Sequence, residues 1–134
     1  MGLILVRASA VLAAVAIGGC AGGGDDEAAS LTAERFYAAV AARDGAAACE
    51  QLGQRTLEAL EHDETSPCPE AVLSLELSGS DAESATVWIT SARVRLRQGD
   101  TVFLDETPSG WRVAAAGCKP RPGEEQPYEC EVES

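Results

Sequence analysis

Basic residues, aromatic residues and histidine are all scarce in this chain. Ten Lys and Arg stand against 22 Asp and Glu, for a formal net charge of −12 over 134 residues. That excludes nucleic acid as a natural partner, because neutralising phosphates takes clustered Lys and Arg. It also argues against simple adsorption to anionic lipid, which rewards polybasic segments. Two Trp, two Tyr and two Phe leave a core to be built mainly from Ala, Val and Leu. A single histidine, His62, and no C-x-x-C pair argue against zinc. A Gly-rich phosphate loop, a G-x-S-x-G elbow and a dinucleotide fingerprint are all missing, so no cofactor is implied. No apolar run reaches the roughly 20 residues of a spanning helix, since the amino-terminal one is broken at Arg7.

What is present begins at the amino terminus. Met1 to Arg7 reads as a short, singly charged leader and Ala8 to Ile17 as its apolar core. Ile17-Gly18-Gly19-Cys20 then sets small residues before a cysteine, the pattern a lipoprotein signal peptidase cuts. The expectation is a signal peptide over 1–19 and a lipid-modified Cys20. Residues 21–29, rich in Gly, Ala and acid, read as a flexible tether reaching about 17 Å. Losing 1–19 removes only Arg7 among charged residues, taking the net charge from −12 to −13. Membrane association would then come from the covalent chains, two of which hold firmly where one is marginal. This places the protein on the outer, extracytoplasmic face of the cell membrane.

Residues 30–134 are the right length for one small domain. Domains of this size bury a limited fraction of their surface and use staples. Setting Cys20 aside leaves Cys49, Cys68, Cys118 and Cys130, which allow three pairings. Local pairing, Cys49 with Cys68 and Cys118 with Cys130, is favoured, each link contributing about 3 kcal/mol in the chain-entropy model. Disulfides are the default outside the cytoplasm.

Thr32 reads as a helix N-cap, with Leu31 and Phe36 as a hydrophobic staple and Gly45 as a left-handed C-terminal cap. Further helices are expected at 46–52, 54–61 and 66–75. From Glu83 the period changes to alternation, giving strands at 83–89, 92–97, 101–106 and 111–116, with a fifth near 128–132. Turns at Thr90-Ser91, Gln98-Gly99-Asp100 and 107–110 pair Val87 with Val94, Leu96 with Val102, Leu104 with Val113 and Val102 with Ala115. The inward face would carry Ala85, Val87, Ile89, Ala92, Val94, Leu96, Val102, Leu104, Glu106, Trp111, Val113 and Ala115. The fold class is therefore α+β, with amino-terminal helices on a curved antiparallel sheet of four or five strands.

Three groups of residues carry a resemblance: Phe36-Tyr37-Ala38-Ala39-Val40 with Asp44-Gly45, Cys49 with Cys68, and Gly110-Trp111-Arg112-Val113 with Ala116-Gly117-Cys118. Residues 31–133 resemble the cone-shaped superfamily of nuclear transport factor two, scytalone dehydratase and ketosteroid isomerase. More narrowly, they resemble small lipoproteins of Gram-positive bacteria with GC-rich genomes. That superfamily holds enzymes and non-enzymes, so the resemblance implies a fold more than a function.

Its enzymes use Asp, His or Tyr inside the cone. Here the inward face offers only Glu106, beside Trp111, with Tyr37 on the first helix. A carboxylate desolvated against an indole suits general acid–base work. One such group does not make an acid–base pair, so the expectation is a non-catalytic binding or interaction module, the alternatives being a small cone-fold enzyme of the isomerase or dehydratase kind and a structural envelope component. The outward face instead carries Arg93, Arg95 and Arg97 with Trp88 and Phe103. Arginine beside aromatics suits recognition of an anionic partner such as an envelope protein, whereas a small ligand would sit inside the cone. His62 among Glu61, Asp63 and Glu64 reads as a solvated helix end.

Overall fold

The computed structural model describes residues 24–134, so the signal peptide, Cys20 and residues 21–23 lie outside the described residues. The chain opens on α1 (Gly24–Ala41). Its first turn holds Asp25, Asp26 and Glu27, which suit the positive end of the helix dipole. Ala29, Thr32, Ala33, Phe36 and Tyr37 recur at helical spacing and form its buried stripe. The expected tether is corrected accordingly: Gly24–Ala29 is helix, and Ala29 is fully buried. Thr32 caps nothing; it is mid-helix, its hydroxyl donating to the Ala28 carbonyl at 3.1 Å. Leu31 is exposed and staples nothing. The left-handed residue after α1 is Arg43, not Gly45.

Three short helices follow: α2 (Gly45–Glu50), α3 (Gln54–Glu64) and α4 (Cys68–Ala71), the last running into a 3₁₀ turn at Val72–Ser74. Asp44 caps α2 by accepting the Ala47 N–H at 3.0 Å. Gly45 is buried against α4, where an added Cβ would lie 2.0 Å from the Pro69 carbonyl oxygen. The Cys49–Cys68 disulfide ties the same two helices together.

The sheet is antiparallel: β1 (Ala82–Trp88), β2 (Ser91–Leu96), β3 (Thr101–Thr107) and β4 (Gly110–Pro120) in sequential order. Two short strands, β5 (Tyr128–Glu129) and β6 (Val132–Glu133), pair with the far side of β4. Further along that side, Val113 exchanges hydrogen bonds with Gln51 and Gly53. The β4 edge is thus covered by three segments, which blunts it against unwanted pairing. A second disulfide, Cys118–Cys130, fixes β4 to the bend between β5 and β6. Both links are the local ones expected.

The facing rule held better than the registers. Leu104 pairs with Val113 as expected, but Val87 pairs with Ala92 and Val94 with Val102. Each of the first two hairpins is shifted by two residues, because the turns fall at Ile89-Thr90 and Arg97-Gln98-Gly99. A shift of two leaves every side chain on its own face. Ile89 is the exception, leaving the core for the turn with 93% of its surface exposed. Irregularities in the β3–β4 ladder set Ala115 opposite Phe103 on the outer face and give its core position to Ala116. Beneath the sheet, Val94, Val102, Leu104 and Val113 pack with Phe36, Leu60 and Val72, all fully buried. Among the described residues no helix is long and apolar enough to cross a membrane.

Candidate functional site

The packed interior directs attention to two places: a polar cluster at one end of the sheet, and the outer sheet face. The cluster centres on Asp100, which sequence reasoning read only as a turn residue. Its side chain is almost fully buried. The Tyr37 hydroxyl donates to Asp100 Oδ2 at 3.0 Å, the Ser78 N–H donates to the same oxygen at 2.8 Å, and Lys119 Nζ lies 3.7 Å from Oδ1. The Gly117 N–H donates to the Tyr37 oxygen at 2.9 Å. Burial pushes the Tyr37 phenol far above its ordinary range, with the Asp100 carboxylate adding to the effect and the Gly117 N–H opposing it.

An Asp–Tyr pair is therefore present, but its proton is committed. The phenol gives its only hydrogen to Asp100, and no buried side-chain N or O among the described residues lacks a partner. This is how a buried Tyr is usually accommodated. Glu106 does not join it: it is exposed at the other end of β3, opposite Trp111, whose indole is buried in the core. The expected pocket of Tyr37, Glu106 and Trp111 is thus corrected to three separate environments. His62 is exposed on α3, and among the described residues no three His, Cys, Asp or Glu side chains gather as a metal site.

The outer face keeps most of its expected members. Alternation with buried Ala92, Val94 and Leu96 turns Arg93 and Arg95 outward. Arg93 lies 5.4 Å from the Trp88 ring centroid and sits opposite Phe103. Phe103 in turn meets Tyr128 edge to face at 5.0 Å between centroids. A row Trp88–Arg93–Phe103–Tyr128 thus crosses the sheet from β1 to β5. Arg95 pairs with Glu83 at 3.5 Å, both well exposed, and Arg97 leaves the row for the β2–β3 turn.

The sequence did not place Tyr128 in this row, because Tyr128 reaches it through the short pairing of β5 with β4 at Pro120, stapled nearby by Cys118–Cys130. With Phe103 it lines an open hollow of about 300 Å³, together with Ala114, Ala115, Gln126, Pro127 and the acidic Glu133. A second hollow of about 260 Å³ adjoins it at Ala114 and Ser134 and is lined by Arg55, Arg112, Asp105 and Thr56. The Thr56 hydroxyl donates to the Ala114 carbonyl at 3.0 Å, and Ser91 holds Asp105 at 3.1 Å. The two hollows meet along β4, aromatic in the first and polar in the second, where Arg55 and Arg112 lie with Asp105 and one Arg112 N–H donates to the Trp111 carbonyl at 2.8 Å. No family model, curated protein or solved structure matches this chain.

Proposed function

We propose that this is a lipid-anchored, extracytoplasmic binding module without catalytic activity, which holds a small ligand or an envelope component on its outer sheet face. The observation that carries this reading is the groove formed where the two hollows meet along β4, with Phe103 and Tyr128 in the first and Arg55 and Arg112 in the second. Concave sites with a largely apolar lining and a few placed polar groups are the usual form of ligand sites. The groove suits a ligand with an apolar ring or chain at one end and a carboxylate at the other. Anchoring rests on Ile17-Gly18-Gly19-Cys20, and two disulfides support an oxidising compartment. Helices ahead of an antiparallel sheet also support the likeness to the nuclear-transport-factor-two superfamily, and the committed Tyr37 proton favours its non-enzymatic side.

Titration with simple aromatic carboxylates, followed by amide chemical shifts, tests the groove. Shifts should gather at Phe103, Ala114, Ala115 and Tyr128, and weaken in Phe103→Ala and Arg112→Ala. Shifts centred on Tyr37 and Asp100 would instead favour the enzyme reading.

A further inference from the structure

We propose that the tip of the β1–β2 hairpin, Trp88 and Ile89, is a second membrane contact that inserts into the bilayer interface beside the lipid on Cys20. This rests on the anchor reading above.

The tip is built against local preference. Ile89 alone of the two turn residues has a positive φ, 51°, the pattern of a turn that ordinarily takes glycine at this place. A β-branched side chain there is a conformational outlier, and such outliers persist where function requires them. Ile89 is also 93% exposed and Trp88 50% exposed, side by side. Among the described residues, Ile89 therefore packs little of its side chain in return for that strain. Trp88 carries the Arg93 guanidinium over its ring. Tryptophan favours headgroup depth, and an arginine stem can lie along apolar surface while its head stays among phosphates.

The helix carries the anchor to the same end of the domain. Tyr37, Ala38 and Ala41 of α1 share a hollow with Gly79–Asp81, whereas Asp26, Glu27 and Ser30 share one with Ala82–Ala85. Glu34, between these groups, accepts the Ala82 N–H at 2.8 Å. Helix and strand therefore run in opposite directions, and moving toward Gly24 is moving toward Trp88. Only Ala21, Gly22 and Gly23 separate Cys20 from α1. Fully extended, that stretch spans at most about 14 Å between the Cα atoms of Cys20 and Gly24. A lipid on Cys20 would hold the hairpin end within reach of the bilayer. Asp25, Asp26 and Glu27 at this end repel anionic lipid, so the contact works by apolar insertion, and added salt should not release it.

The test uses the mature protein purified from membranes and reconstituted in phosphatidylcholine–phosphatidylglycerol vesicles with plain or brominated acyl chains. Trp111 is buried, so quenching by bromine should report on Trp88. The expected result is a loss of emission in brominated vesicles that persists at high salt. It should disappear in Trp88→Phe and in Ile89→Asp while both variants stay anchored. Equal emission in the two vesicle types, from protein whose mass shows a diacylated Cys20, would overturn the hairpin contact and leave the anchor standing. An unmodified Cys20 would overturn both. Equal emission together with a photo-crosslink from position 89 to one protein in cells would assign the tip to a protein partner instead.

Discussion

The Tyr37 hydroxyl donates to Asp100 Oδ2 at 3.0 Å while accepting the Gly117 N–H at 2.9 Å, so one phenol joins α1, the β2–β3 turn and β4. Tyr37→Phe would leave the Gly117 N–H unpaired and Asp100 short of a donor. The expected cost is about 1–3 kcal/mol at neutral pH, read by denaturant unfolding.

The same pair sets an alkaline limit. Because the folded-state pKa of Tyr37 is raised, its contribution is complete below the ordinary phenol value near 10. Above that pH the unfolded chain ionises and the folded one does not, so stability falls. The gap in stability between wild type and Tyr37→Phe should narrow as pH rises past about 10. A gap that widens would contradict the buried, neutral phenol.

Adjacent residues on β2 should behave oppositely. Val94 is fully buried, and Val94→Asp should cost several kcal/mol by burying an unpaired charge. Arg95 gives up only an exposed pair with Glu83, so Arg95→Glu should change stability by about 1 kcal/mol or less. Thermal unfolding of the two variants separates them.

Gly45→Ala should destabilise by about 1–3 kcal/mol, because its Cβ would meet the Pro69 backbone rather than a yielding side chain. Reducing the disulfides should cost about 3 kcal/mol per link, and non-reducing digestion should join the Cys49 peptide to Cys68 and the Cys118 peptide to Cys130. A Cys49–Cys118 link would refute the pairing.

Much of the fold could be read from period alone. Alternation at Val94, Leu96, Val102, Leu104 and Val113 marks the inward face, and a two-residue register error does not disturb it. What escaped was set by particular local conflicts. Ile89 and Gln98 occupy left-handed backbone that their residue types disfavour, so residue preference puts both turns one residue too late. Gly99 pointed to the correct loop for another reason: a Cβ there would lie 2.4 Å from the Ser78 carbonyl oxygen. The early start of α1 was hidden because Ala29 and Ala33 are too small to mark a buried stripe. Asp100 resembles any turn aspartate, and only the folded chain brings it to Tyr37. Of the candidate surface, Trp88, Arg93 and Phe103 follow from parity, whereas Tyr128 depends on a two-residue pairing of β5 with β4 and on the disulfide beside it.

Anchoring on the outer face of the membrane is the central claim, and intact-mass measurement of the protein isolated from membranes tests it most directly. The expected mass lacks residues 1–19 and carries a diacylglyceryl group on Cys20, and Cys20→Ser should stall maturation or release the protein from the membrane. A free, unmodified Cys20 on protein recovered in the soluble fraction would contradict the account.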